Sequence, residues 1–215
     1  MKSRLRLIAL VMIGAAGATG GLAAQVAGMP VRNAGVGTGI GIAADLGFPN
    51  GDAGKGIALG ATGAIGLGPL GITGSVATWN PKGPGSSITS AGVTGNLKVF
   101  GGPLIPVSVT LQAGAAHYKV SGESNWHVPV GVGLALTIPN PVFSIKPWLA
   151  PRVDVTRRNP TTGSSDTDTN FGISGGVDLG FLSGLTIRAM YDRVSAGAGL
   201  KPSVLSLGLG FKVGT

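Results

Sequence analysis

The chain has 215 residues, a formal net charge of +8 and no cysteine, which excludes disulfide frameworks, cysteine–zinc sites and thiol catalysis. A mean hydropathy of +0.40 with 11% charged residues excludes a disordered, solvated chain. The 40 glycines follow no Gly-X-Y period, which excludes collagen, and the singly scattered lysines and arginines argue against nucleic acid as a partner.

The first predicted element is an export signal over residues 1–24. A positive start precedes an apolar run over residues 7–13, and a stretch of small residues then ends at Ala24; the charges are Lys2, Arg4 and Arg6. This order is typical of a secretory signal peptide that is cleaved after Ala23 or Ala24. A retained transmembrane helix is the alternative, because the uncharged stretch is about 18 residues long, but its glycines disfavour a helix. We expect cleavage, a short periplasmic segment over residues 25–33 and one domain over residues 34–215.

The mature chain alternates apolar residues with small or polar ones at a period of two. This period is typical of β-strands, in which successive side chains point to opposite faces. It is clearest after Val142, where Phe143, Ile145 and Leu149 share one face. About ten strands are predicted, approximately over residues 35–46, 57–67, 70–79, 90–100, 107–112, 127–138, 142–156, 171–181, 185–194 and 205–213.

Two kinds of connection separate these strands. Tight turns are predicted from glycine and proline pairs at residues 68–69, 101–103, 139–141 and 183–184. Longer polar stretches lie between them, at residues 47–54, 80–88, 120–126, 157–170 and 195–202. Long and short connections are therefore expected to alternate strictly.

The composition of the two strand faces favours a membrane barrel over a soluble sandwich. A secreted sandwich would also alternate, but its outer face would carry many charged residues. In this chain the polar face is mostly Gly, Ala, Ser and Thr, as expected if it lines a narrow interior while the apolar face meets lipid. We predict an all-β fold, a closed antiparallel up-and-down transmembrane β-barrel of about ten strands, with eight as the alternative.

The signal, the alternating strands and the last strand, Leu205-Ser-Leu-Gly-Leu-Gly-Phe-Lys-Val213, resemble the small outer-membrane β-barrel proteins of Gram-negative-type bacteria. The resemblance covers residues 34–214 and implies a place in the cell outer membrane. The even number of predicted strands places both termini on the periplasmic side. It also implies outer-membrane lipid (lipopolysaccharide or phospholipid) and the barrel-assembly machinery as partners, and it leaves the oligomeric state open. Family members typically end on an aromatic residue, whereas this chain continues from Phe211 to Thr215.

Aromatic residues are expected in two girdles at the membrane interfaces. Those near the short turns are Phe100, Phe143, Phe181 and Phe211, and those near the long loops are Phe48, Trp79, Trp126 and Phe171. Trp148 and Tyr191 do not fit this pattern.

Strand parity assigns charged residues to the lumen. The group near the periplasmic ends of the strands is Lys98, Lys146, Asp178, Arg188 and Lys212; the group nearer the outer rim is Asp45, Arg152, Asp154, Asp192 and His127. We expect Lys146, Asp178 and Arg188 to form one ion-pair network. The charges either brace and partly plug the barrel or form a basic constriction that favours small anions. Inward glycines and alanines are expected to enlarge the free lumen.

The predicted function is a narrow passive pore for small solutes or ions, or a structural component of the outer membrane. The alternative is surface interaction or adhesion through the loops 47–54, 80–88 and 157–170. A further alternative is an outer-membrane hydrolase that uses rim residues, drawn from His117, His127, Ser124, Asp154 and Asp192. No spacing selects these residues, so we expect no enzyme, no catalytic or metal-binding residue and no cofactor.

Overall fold

The computed structural model describes residues 26–82, 86–102 and 105–213, and strands dominate them. The expected signal peptide over residues 1–24 lies outside the described residues. The strands are β1 (Gly39–Pro49), β2 (Ile57–Leu67), β3 (Leu70–Asn80), β4 (Ile88–Phe100), β5 (Val107–Val120), β6 (Glu123–Leu136), β7 (Ile138–Pro139), β8 (Phe143–Asn159), β9 (Asp166–Phe181), β10 (Leu185–Ser195) and β11 (Ser203–Val213).

The strands close into a barrel. Each long strand pairs antiparallel with its neighbours along the chain, and β1 pairs with β11. Both β6 and the two-residue β7 pair with β8, so β7 continues β6 and the wall has ten strands. The predicted closed antiparallel barrel of ten strands is confirmed. Closure pairs every sheet edge, as a hydrocarbon environment requires.

The alternating sequence explains which side chains face outward. On β1, Ile40 and Ile42 are 57% and 64% exposed, whereas Asp45 is buried. On β8, Leu149 and Val153 are exposed and Trp148, Arg152 and Asp154 are buried between them. An apolar surface of this kind lowers the free energy in lipid and would raise it in water. In the part of the chain that the structure describes, no helix has the length and apolar character needed to cross a membrane.

The connection between β5 and β6 is a two-residue turn, so the predicted long loop over residues 120–126 is wrong. Ser121 and Gly122 both have positive φ, 51° and 88°, which is the type I′ conformation that matches the twist of a hairpin. Residues 123–126 belong to β6 and pair with β5. Their polar character is compatible with a strand because the outer ends of barrel strands extend beyond the hydrocarbon.

Other connections also differ from the strict alternation that we expected. β8 and β9 have 17 and 16 residues, more than the roughly 9–11 that cross a bilayer, so the predicted loop over residues 157–170 shrinks to residues 160–165. Six residues, 101–106, join β4 to β5 at the periplasmic end. The length of a connection alone therefore does not show whether it lies at the periplasmic or the outer end of the barrel.

The aromatic girdles are present only in part. Phe48, Phe100, Trp126, Phe171 and Phe211 point outward and are 40–54% exposed. Trp79 instead points inward and is 6% exposed, so its assignment to a girdle is wrong. Trp148 is buried inside the barrel as well, which explains why it did not fit the girdle pattern.

Candidate functional site: the plugged lumen

Residues 26–38, which we call the plug segment, run through the barrel interior. Residues 26–31 are all buried, and exposure returns only at Gly37 and Thr38, where the segment enters β1. The expectation of a short periplasmic segment over residues 25–33 is therefore wrong for its described part, residues 26–33. The backbone and small side chains of this segment occupy a lumen whose wall is rich in glycine.

Wall glycines make the space that the plug segment occupies. A Cβ atom at Gly47 would overlap the carbonyl oxygen of Gly28, and one at Gly66 would overlap the carbonyl oxygen of Gly37. At Gly133 it would overlap the side chain of Asn33. The expectation that inward small residues enlarge a free lumen is wrong, because a part of the same chain fills that volume.

Hydrogen bonds hold the plug segment on several sides of the lumen. Arg32 forms an ion pair with Asp178 of β9, and the other bonds reach β4, β5 and β10. They are Ala27 N–H to Ser90 Oγ (2.9 Å), Val31 N–H to Asp192 Oδ2 (2.9 Å), Asn33 Nδ2 to the Thr110 carbonyl (3.3 Å) and Gln112 Nε2 to the Arg32 carbonyl (2.9 Å). Sequence analysis missed these plug residues; the signal that could have found them is the single charge of Arg32 in an otherwise uncharged stretch.

An apolar cluster closes the outer side of the plug segment. Val26, Ala27 and Met29 pack with side chains from the upper ends of β2 to β5 and from the β1–β2 loop, among them Ala53, Ala58, Trp79, Ile88 and Tyr118. The indole N–H of Trp79 donates to the Lys55 carbonyl at 3.1 Å. This cluster excludes water from the outer end of the segment.

Four of the five residues expected at the outer rim form one buried network, which we call the upper polar network: His127, Arg152, Asp154 and Asp192. Arg152 donates to Asp154 through Nε (2.9 Å) and to Asp192 through Nη2 (2.8 Å). His127 Nε2 lies 3.0 Å from Asp154 Oδ1. Asp192 also accepts the Val31 N–H, so the network connects the wall to the plug segment.

The charges nearer the periplasm pair differently from what we expected. Lys146, Asp178 and Arg188 are opposite one another on β8, β9 and β10. However, Arg188 pairs with Asp45, Nε to Oδ1 at 2.6 Å, and Asp178 pairs with Arg32, so the expected three-residue network does not form.

The Arg188–Asp45 pair depends on a glycine between the two strands. Both residues are opposite Gly208 of β11, which has no side chain to separate them. Asp45 therefore lies at the level of Arg188 and not at the outer rim, where we had expected it.

A cavity of about 390 Å³ remains beside the plug segment in the periplasmic half of the lumen. Lys146 and Lys212 line it, together with both ion pairs. Among the described residues, no carboxylate lies within ion-pair distance of Lys98, Lys146 or Lys212. Lys98 faces inward on β4 but does not line this cavity.

The residues considered for a hydrolase are divided between the two faces of the wall. His117 Nε2 lies 2.8 Å from Ser124 Oγ, and both are on the outward face beside Trp126. His127 and Asp154 are on the inward face and fully buried. They therefore do not form a serine–histidine–aspartate arrangement. No group of three or more histidine or acidic side chains suited to a metal occurs in the described parts of the chain.

Comparison with known structures gives the same fold. The β domain of the Bordetella autotransporter BrkA matches with a TM-score of 0.50 and 13% identity, covering 81% of this chain and 98% of that one. The translocator domain of autotransporter NalP from Neisseria meningitidis matches with a TM-score of 0.42 and 14% identity, covering 98% of each chain. The N-terminal β-barrel domain of Pseudomonas aeruginosa OprF has a TM-score of 0.41 and 14% identity, covering 81% of this chain and 96% of that one.

Sequence comparison identifies the family. No curated protein matches the chain significantly. The sequence model described as "Outer membrane protein beta-barrel domain" matches residues 9–212, nearly the whole chain. A closed ten-stranded barrel with an apolar exterior agrees with that match, and the chain belongs to the outer membrane protein beta-barrel domain family of the outer membrane.

Proposed function

We propose that the protein is a self-plugged outer-membrane barrel that passes small solutes and ions only after the plug segment leaves the lumen. The observation that carries the proposal is that residues 26–38 fill the interior and bond to its wall on several sides. A barrel of about eight strands is filled by its own side chains, so ten strands plus a plug leave no wide water path. The protein is then a closed membrane component with the plug in place and a narrow pore without it.

Weak hydrogen bonds and chain entropy favour displacement of the plug segment, and burial of Val26, Ala27 and Met29 in the apolar cluster opposes it. Each of its neutral hydrogen bonds contributes only about 0.5–1.5 kcal/mol. A released segment regains conformational entropy worth roughly 1–2 kcal/mol per residue. The Arg32–Asp178 pair is its one described ionic attachment to the wall, and water would hydrate both ions once the lumen opens.

The charges left on the wall favour anions. When the plug segment leaves, Arg32 leaves with it, and Arg188 remains paired with Asp45. Lys98, Lys146 and Lys212 then face one unpaired carboxylate, Asp178. Inward cations of this kind select small anions electrostatically.

A reversible disulfide tests the proposal. Met29 Cγ lies 3.2 Å from the position of a Cβ at Gly60, close to the spacing that a disulfide needs in a Met29→Cys/Gly60→Cys variant. The chain has no other cysteine, so no competing bridge forms. We expect planar-bilayer recordings to show almost no conductance for the oxidised variant and wild-type conductance after a reductant is added.

The matched control is the single variant Met29→Cys, which cannot form the intramolecular bridge and should conduct like the wild type with and without reductant. Equal conductance of the oxidised and reduced double variant would refute gating by the plug segment. If neither the wild type nor the reduced variant conducts, the pore is refuted and the structural role remains.

A surface-interaction role is the second candidate, and the length of the β8–β9 hairpin favours it. Its outer part carries Arg157, Arg158, Asp166 and Asp168. The two strands are joined by residues 160–165, of which 161–165 are exposed. If deletion of residues 160–165 abolishes attachment of cells to a surface without changing conductance, the hairpin is the interaction site. Unchanged attachment would refute this second candidate.

A further inference from the structure

We infer that Arg32, Lys146 and Lys212 form a site for a small phosphate in the cavity beside the plug segment, occupied while the barrel is closed. The inference rests on the closed barrel of the proposed function, but it concerns binding in the closed state and not conduction. The site lies in the periplasmic half of the lumen, where Gly37, Thr38 and Lys212 are exposed. A solute in the periplasm can therefore reach it.

The charge balance of the cavity calls for an anion. Four cations and two carboxylates line it: Arg32, Lys146, Arg188, Lys212, Asp45 and Asp178. Each carboxylate is already paired with one arginine, so the two lysines have no acidic partner among the described residues. Lys212 is exposed to the periplasm and Lys146 is only partly exposed, and a cation withdrawn from water is stabilised by an anion beside it.

The two lysines approach the same short stretch of the plug segment. Lys146 Nζ lies 3.6 Å from the position of a Cβ at Gly35, and Lys212 Nζ lies 3.5 Å from that at Gly37. Two residues of chain span at most about 7 Å. The glycines leave the volume beside each ammonium group free of side chains, and the proposed oxyanion occupies that volume.

The Arg32–Asp178 pair supplies an independent observation about the ligand. Arg32 Nε is a buried donor and Asp178 Oδ1 is a buried acceptor, and neither has a hydrogen-bond partner among the described residues. A buried polar atom left without a hydrogen-bond partner is unfavourable. Both residues line the cavity, so rotation of their side chains toward it would let monohydrogen phosphate satisfy both atoms, because its P–O⁻ oxygens accept from the arginine and its P–OH group donates to the aspartate. Sulfate has no proton to donate at neutral pH.

A free phosphate-bearing solute fits this position better than a lipid headgroup. The cavity has a volume of about 390 Å³, and the barrel wall surrounds it. Because all ten strands are paired, an acyl chain has no opening between strands through which to enter. Inorganic phosphate is therefore the probe.

Calorimetric titration of the detergent-refolded mature protein tests the site, at constant ionic strength in chloride. The lumen variant Lys146→Gln/Lys212→Gln loses two charges, and its matched control Lys55→Gln/Lys201→Gln loses two charges from exposed outer connections. We expect phosphate affinity to fall at least about tenfold in the lumen variant, since one charge-assisted hydrogen bond is worth that much, and to stay unchanged in the control. Sulfate should bind the wild type at least about tenfold more weakly than phosphate, because Asp178 then keeps an unpaired oxygen.

No phosphate binding by the wild type, or equal loss in the two double variants, would overturn the site. Equal affinity for phosphate and sulfate would overturn the pairing of Asp178 with a protonated oxyanion and so the assignment to phosphate. The oxidised Met29→Cys/Gly60→Cys protein separates this inference from the gating proposal, because it is closed. If it binds phosphate while reduction fails to change conductance, the site stands and the gate falls. If the disulfide controls conductance but the wild type binds no phosphate, the gate stands and the site falls.

Discussion

Asp192 connects the barrel wall to the plug segment through two bonds. One carboxylate oxygen accepts from Arg152 and the other accepts the Val31 N–H, and the residue is almost fully buried. Asp192→Ala removes the acceptor of the buried Val31 N–H and of Arg152 Nη2, while Arg152 keeps its ion pair with Asp154, and a buried donor left without its acceptor costs about 1–3 kcal/mol. Asp192→Ala should therefore lower the free energy of unfolding by about 1–3 kcal/mol in urea titrations of the protein in lipid vesicles, and it should accelerate hydrogen exchange at the Val31 amide.

The control for this prediction is Asp192→Asn, which removes the charge but retains a carbonyl oxygen for the Val31 N–H. Its Val31 amide should stay protected although the protein is less stable. If Asp192→Ala leaves the exchange rate at Val31 unchanged, Asp192 does not hold the plug segment.

Gly208 is the position at which one added methyl group disrupts an ion pair. A Cβ there would overlap Asp45 Oδ1 and would lie 3.0 Å from the backbone oxygen of Ala44, so Asp45 must move away from Arg188. We expect Gly208→Ala to destabilise the barrel by about 3 kcal/mol, near the lower end for a broken buried pair. The matched control is Gly74→Ala on the outward face, which has no atom within 4 Å of the new Cβ and should be neutral in the same unfolding assay.

The inward direction of the candidate charges follows from strand parity, but their pairing does not. Parity shows that Asp45 and Arg188 both face the lumen, because each occupies an inward position of a period of two. Whether they touch depends on the register of β1 and β10 against β11, the strand between them, and on Gly208, which is opposite both residues. The alternation pattern does not specify the register between strands, and it does not show that Arg32 enters the lumen. The partners of Arg188 and Asp178 could therefore not be predicted from it.

At the scale of elements, the strands were predictable and their outer ends were not. Residues 123–126 and 166–170 are polar and were assigned to loops, yet they continue β6 and β9. Polarity marks the end of the hydrocarbon layer and not the end of the strand, since paired strands extend into water beyond it. The single signal for the β5–β6 turn was Ser121-Gly122.

Gly122 sets the register of the β5–β6 hairpin. Its φ of 88° lies in the left-handed region, where a β-branched residue is strained by roughly 1–2 kcal/mol. Gly122→Val should destabilise the folded barrel by about that amount and slow its folding into vesicles. Gly122→Asn, which tolerates positive φ, should remain within about 0.5 kcal/mol of the wild type. Equal effects of the two substitutions would show that the turn conformation does not limit stability.

At the scale of the whole molecule, the closed barrel could be predicted and the plug segment could not. Alternation and the small polar face imply lipid outside and a narrow interior. Residues 26–38 have no period of their own, and a run of glycine, alanine and valine is compatible with a periplasmic tether. Whether such a run fills the lumen depends on packing against inward glycines such as Gly66 and Gly133 on different strands, which lie far from it in the sequence.

The selectivity of the opened barrel depends on the balance of charge along the whole lumen, and Lys146 tests it. Lys146→Glu, made in the reduced Met29→Cys/Gly60→Cys protein so that the plug segment is free to leave, replaces one of three unpaired inward lysines with an acid. Because Asp178 is directly opposite on β9, two carboxylates would then adjoin at one level and attract cations. We expect the reversal potential in a potassium chloride gradient to change sign, from anion-selective to cation-selective.

Lys201→Glu changes the net charge equally but lies in an exposed outer connection, so it should leave the reversal potential near that of the parent. A lumen variant that stays anion-selective would mean that ions do not pass Lys146, and that the path through the barrel interior is not the conducting one.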